Sequence, residues 1–162
     1  MRYAVRQKIF SLRDSFTIKD EAGNDRYMVK GKLFSLGDKL RLYDMNGMEL
    51  AYIEQKLFRL LPEYNIYYSG QLYATVKREF SLFRPKFRIY SARAEYRAEG
   101  NVWGMDFSIL RNGSPVAHIS KRWFAWADTY GVDISEQEDP VFILALVIVI
   151  DQVLHDQNHN NS

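Results

Sequence analysis

Ten consecutive apolar residues, Val141 to Ile150, interrupt a chain whose other apolar positions come in short, often alternating stretches. A helix apolar on every face has no wet side and must be enclosed, either by protein or by lipid. Asp139-Pro140 supplies an N-cap acceptor and then a Pro whose missing N–H is no loss in the first helical turn. Glu136, Glu138 and Asp139 complement the positive end of the helix dipole. The pattern predicts a helix over 140–154, about 21 Å long from Val141 at 1.5 Å per residue, against roughly 30 Å for a bilayer's hydrocarbon core. With Asp151 and Gln152 closing the run, the segment reads as a core helix and not as a transmembrane span.

Before this helix, turn signals separate stretches rich in Tyr, Phe, Val and Ile: Asp20 to Gly23, Asp44 to Gly47, Ser69-Gly70, Glu99 to Asn101 and Asn112-Gly113. Asn-Gly pairs favour tight hairpins because their backbone tolerates positive φ. The sequence after the turn repeats. Gly47 to Phe58 aligns without a gap on Gly113 to Phe124, an offset of 66 residues, and Gly23 to Phe34 and Gly70 to Phe80 follow the same plan. Each copy is a strand that leaves a turn and ends in a basic residue followed by an aromatic. In Lys86 to Tyr90, Phe87 and Ile89 alternate with Lys86, Arg88 and Tyr90, the period of a half-buried strand. Roughly ten to twelve antiparallel strands in one small domain favour closure into a barrel, which removes exposed edges. The apolar helix fits as the barrel's contents. The expected organisation is one domain over residues 1–155 and a polar, disordered tail over 156–162.

Composition narrows the chemistry. Apolar residues make up 47% of the 162 and aromatics 15%, which suits a strand-rich globular domain. Without Cys there is no disulfide framework or thiolate metal site, and Met1-Arg2-Tyr3 carries no apolar leader core, so a cytoplasmic location is expected. His118 takes the strand-face position that Tyr52 holds in the matching repeat, and His155 and His159 fall in the polar tail. Asp44 to Gly47 lacks the later bidentate Glu of a calcium loop and reads as a turn. No nucleophile elbow, phosphate loop or spaced His pair is present, so no enzyme activity, metal or cofactor is expected.

The net charge of +2 demands no polyanion for the whole chain, but the basic residues are uneven. Lys77, Arg78, Arg84, Lys86, Arg88, Arg93 and Arg97 face only Glu79 and Glu95 between positions 77 and 97. Lys121 and Arg122 precede Trp123, Phe124 and Trp126. Basic side chains beside aromatics suit a membrane interface or stacked bases. Lys77, Arg78, Arg84, Lys86, Arg88, Lys121 and Arg122 are therefore the headgroup candidates, with Trp123 and Trp126 as interfacial aromatics.

The stretch Tyr27 to Gly47, then Ala51 to Phe58, Pro62 to Ile66, Phe83 to Phe87, Trp103-Gly104, Ile119 to Phe124 and Asp128 to Tyr130, with the apolar helix following, resembles the LURP-one-related family of bacteria and plants. The resemblance covers about Phe16 to Leu154. It implies the fold of the tubby C-terminal domain and of phospholipid scramblases, a twelve-stranded antiparallel barrel threaded by a hydrophobic C-terminal helix. It also implies contact with phosphoinositides or other anionic phospholipid at the membrane periphery. The palmitoylated cysteines of scramblases have no counterpart here. The leading expectation is a non-enzymatic barrel that docks on anionic membranes. The alternatives are a scaffold module with an unidentified protein partner and a single-strand nucleic-acid-binding barrel.

Overall fold

In a computed structural model, which describes residues 1–6, 15–32, 37–123 and 128–160, the alternating stretches form twelve strands. They are β1 (Arg2–Arg6), β2 (Ser15–Asp20), β3 (Asp25–Lys32), β4 (Lys39–Asp44), β5 (Glu49–Gln55), β6 (Glu63–Tyr68), β7 (Gln71–Glu79), β8 (Lys86–Ser91), β9 (Glu95–Asn101), β10 (Asp106–Arg111), β11 (Ser114–Ser120) and β12 (Thr129–Ile134). Each strand pairs antiparallel with the next in sequence, and β12 returns to β1, with Arg2 opposite Asp133 and Arg6 opposite Thr129. The ring is closed and leaves no free edge.

An up-and-down ring gathers alternate connections at opposite ends. The five connections β2–β3, β4–β5, β6–β7, β8–β9 and β10–β11 are tight and form a short-turn rim. The other connections, longer except for the four residues between β9 and β10, form a long-loop rim. Three predicted turns show why their residues suit the short-turn rim. Asp44 Oδ1 accepts from the Asn46 and Met48 amides at 2.9 Å each, which fixes that turn. Ser69-Gly70 and Asn112-Gly113 hold positive φ at both positions. The expected turn at Glu99 to Asn101 is instead the end of β9. Gly100, at φ +125°, lies so close to β10 that a Cβ there would stand 3.0 Å from Phe107 Cα, so its glycine serves close strand approach.

The helix α1 (Pro140–Asn160) runs through the barrel from the short-turn rim to the long-loop rim. From Phe142 to Ile150 no residue is more than 1% exposed. Inward residues of the strands, among them Ile18, Val29, Leu42, Ile53, Ile66, Ile89 and Ile109, surround it. Gly31 leaves room for this packing, since a Cβ there would meet Leu40 Cδ2 at 2.1 Å. The entry is anchored as expected: Asp139 Oδ1 accepts from the Val141 amide at 3.0 Å, and its Oδ2 takes the Tyr68 hydroxyl at 2.7 Å. The exit differs from expectation, because the helix continues past Leu154 to Asn160. Gln152 donates to Asp156 across one turn at 3.0 Å, so the polar residues prolong the helix where its apolar lining ends. Asp151 is buried within the helix beside Tyr130, whose phenol pKa burial and this carboxylate push well up.

A second polar anchor closes the long-loop end. The buried Asp38 accepts the Tyr64 hydroxyl at 2.8 Å on Oδ2 and faces Gln152 and Asp156 of the helix. Burial pushes the Asp38 carboxyl up to about 6; the Tyr64 and Gln152 hydrogen bonds oppose this, and the Asp156 charge adds to it.

Two predictions follow from this core. Val147 is fully buried at mid-helix, and an unpaired ammonium there costs several kcal/mol, so Val147→Lys should abolish cooperative thermal unfolding. A sharp melt at the wild-type temperature would contradict the enclosed helix. Asp38 holds its proton to higher pH in the folded chain than in the unfolded one. Its contribution to stability is therefore largest in acid and is lost as pH rises through about 6, a change of about 2–3 kcal/mol. Asp38→Asn keeps an acceptor for Tyr64 and should flatten the fall in urea midpoint between about pH 4 and 7. Identical pH profiles for variant and wild type would refute that assignment.

Candidate functional site

The repeat seen in the sequence has a spatial meaning. Strands β3, β5, β7 and β11 each leave a short turn and run toward the long-loop rim, so the basic residue and aromatic that end each copy are delivered to the same end of the barrel. Lys56 and Phe58 head the β5–β6 connection, Lys77 lies near the end of β7, and Phe80 opens the β7–β8 connection. Phe34, Phe124 and the predicted interfacial Trp126 lie outside the described residues.

The predicted basic residues divide into two groups. Lys77 and Arg88 are directly opposite one another on the outer wall of β7 and β8, and both are paired. Lys77 reaches Glu63 at 3.6 Å and sits 5.6 Å above the Tyr90 ring, while Arg88 contacts Glu79 at 3.2 Å and Glu95 at 3.3 Å. Buried Glu63 also takes Lys56 at 3.0 Å and Arg59 at 3.5 Å. Burial pushes its carboxyl up, but these three cations outweigh that and hold it below the ordinary value. The wall cluster is thus largely neutralised. Arg122 is exposed and reaches only to 4.0 Å from Asp106. Arg84, Lys86 and Lys121 are exposed and have no carboxylate within 4.0 Å among the described residues. Arg84 lies in the β7–β8 connection, Lys86 opens β8, and Lys121 opens the β11–β12 connection with a single 3-10 turn, Lys121–Trp123.

Arg78 differs from all of these. It follows Ala74 and Val76 on the inward register of β7, opposite the buried Phe87, and its amide donates to the Pro62 carbonyl at 3.0 Å. Its Nε and Nη1 are buried without a hydrogen-bond partner among the described residues, and burial lowers its pKa. Trp123 folds back onto the wall, where Arg2 stacks over it at 4.5 Å and His118 meets it edge-on at 5.6 Å.

The sequence reading missed the apolar tips of the same rim. Phe58 and Leu60 in the β5–β6 connection and Phe83 in the β7–β8 connection are 91% or more exposed, and Phe80 and Leu82 are largely so. Phe58 also holds φ at +59°, a left-handed conformation uncommon for a bulky residue. The repeated basic–aromatic ending was the signal that could have located this rim.

Two other arrangements resemble sites. Ser108 Oγ lies 3.0 Å from His118 Nδ1, and His118 Nε2 lies 3.2 Å from Asp106 Oδ1, the order of a nucleophilic relay. These side chains stand on the outer wall, however, and Ser108 lies in a strand paired on both sides, which leaves no free amide cradle for an oxyanion. At the short-turn rim a cleft of about 290 Å³ is lined by Tyr73, Arg93, Tyr96, Arg111, Glu138 and Phe142. Its polar groups serve the fold: Arg111 pairs with buried Glu138 at 2.7 Å, and Tyr96 donates to the same carboxylate at 3.4 Å. Among the described residues no group of three or more His, Cys, Asp or Glu is placed to hold a metal ion. None of the described helices is long and apolar enough to cross a membrane.

Comparison with known proteins agrees with this architecture. The chain is 35% identical over 152 residues to an uncharacterised Bacillus subtilis (strain 168) protein, YxjI, covering 94% of this chain and 93% of that one. The X-ray structure of a protein from Arabidopsis thaliana shares the fold, with a TM-score of 0.69 at 21% identity over 94% of this chain and 90% of that one. The sequence profile of the LURP-one-related family matches residues 1–151. With a closed twelve-stranded barrel and an enclosed C-terminal helix, the chain belongs to the LURP-one-related family.

Proposed function

We propose that this barrel docks reversibly on anionic phospholipid membranes through its long-loop rim. The observation that carries the reading is the charge division between the two ends. Arg6, Lys39, Arg84, Lys86 and Lys121 stand toward the long-loop rim without a carboxylate partner among the described residues. At the short-turn rim, by contrast, Glu21, Asp25, Glu136 and Glu138 are paired with Arg2, Lys19, the amino terminus and Arg111, and Asp20, Asp44 and Asp139 add negative charge. A negatively charged surface therefore attracts the long-loop end more strongly than the other, which orients the molecule even though its net charge is only +2. The paired wall residues Lys77 and Arg88 add little to that attraction.

Each unpaired cation near an anionic surface contributes about 1 kcal/mol within a Debye length of roughly 8 Å at physiological salt. Phosphatidylserine–phosphatidylcholine vesicles should sediment the protein at low salt and release it as salt rises, with weaker retention by phosphatidylcholine alone. Reversing Arg84, Lys86 and Lys121 to Glu should reduce binding by well over about tenfold with little change in melting temperature, while Lys77→Gln and Arg88→Gln should reduce it far less. Absence of wild-type binding at low salt, or equal binding by the reversed variant, would favour a scaffold role instead.

A further inference from the structure

Resting on that reading, we infer that the β5–β6 and β7–β8 tips enter the bilayer interface, with Arg78 held between them to meet a lipid phosphate. Three independent features converge on this rim. The first is exposure without any internal reason: Phe58, Leu60 and Phe83 leave nearly their whole side chains in solvent, flanked by Phe80 and Leu82. Large apolar side chains clustered on neighbouring loops mark a surface that is covered in use. The second is the backbone of Phe58, kept left-handed where its ring points away from the barrel's packing. Strained positions of this kind concentrate at binding sites.

The third is the guanidinium. The wall cations Lys77 and Arg88 each have a carboxylate, yet the half-buried Arg78 has none among the described residues. Its backbone is tied to Pro62 of the β5–β6 connection, and its strand continues into the β7–β8 connection, so it stands at the base of both tips. A buried polar group without a partner is costly, and a phosphate oxygen supplies the charge-assisted bonds that guanidinium favours. Charge selects the occupant. An apolar protein partner would leave Arg78, Arg84 and Lys86 unsatisfied, whereas a phospholipid layer offers hydrocarbon to the rings and phosphate to the cations.

The chain has no Cys, so a single introduced thiol reports on one position. Full-length Leu60→Cys and Phe83→Cys, labelled with an environment-sensitive fluorophore, should brighten and shift to the blue on phosphatidylserine–phosphatidylcholine vesicles and be quenched by lipids carrying a quencher in the upper acyl chain. Ala22→Cys, in a short turn at the opposite rim, should do neither. Binding without any change at positions 60 and 83 would overturn tip insertion and leave anionic docking standing; failure of every protein to bind would overturn the docking reading itself. A concentration-dependent blue shift without lipid would show that the tips pair with a second copy, and would also overturn the inference. Arg78→Gln should weaken vesicle binding by about tenfold while Arg78→Lys retains most of it. Equal binding by Arg78→Gln, in protein with an unchanged melting temperature, would remove Arg78 from the site.

Discussion

A helix with no polar face cannot stand in water, and the rest of this fold follows from enclosing one. Barrel diameter grows with strand number, and eight strands leave room only for side chains or one small ligand. Twelve strands make space for a helix whose residues from Phe142 to Ile150 are all buried. Closure also removes the edges on which antiparallel sheets aggregate. The same enclosure makes the interior unsuitable as an aqueous ligand cavity, so function is left to the wall and the two rims.

The helix makes those rims unlike each other. At its entry Asp139 caps the first turn and takes the Tyr68 hydroxyl, while Glu138 holds Arg111, so acidic residues and tight turns crowd one end. At its exit Asp38, Tyr64, Gln152 and Asp156 form a polar closure beneath the longer connections. Those connections are less constrained by turn geometry and can carry side chains the fold does not use. Phe58, Leu60 and Phe83 are such side chains, and Arg84 and Lys86, without a carboxylate partner among the described residues, follow closely after Phe83 in the chain.

Much of the architecture was legible because local rules and long-range packing agree. The unbroken apolar run, the Asp139-Pro140 start, four of the five turn signals and the 66-residue repeat each point to the same barrel. Errors arose where a residue's role depends on a neighbour distant in sequence. Gly100 looked like a turn residue, but its freedom serves contact with Phe107. The helix outlasted its apolar run because Gln152 reaches Asp156. For the candidate site, the count of basic residues between 77 and 97 was accurate yet misleading, since Glu63, Glu79 and Glu95 come to Lys77 and Arg88 only across the sheet. Nor does composition reveal that Arg78 turns inward while Lys77 beside it turns out. That distinction follows from strand register, which the alternation of Ala74 and Val76 could have supplied.

In the docking we propose, enclosing the helix leaves the long-loop rim as the membrane-facing end. Amide hydrogen exchange of the whole chain, free and bound to phosphatidylserine–phosphatidylcholine vesicles, tests it most directly. Slower exchange on binding should be confined to the long-loop rim and greatest in the connections over 56–62 and 80–86, with the short turns around Asn24 and Asn46 unchanged. Protection at the short turns, or along the β7–β8 wall with the connecting tips unaffected, would contradict it.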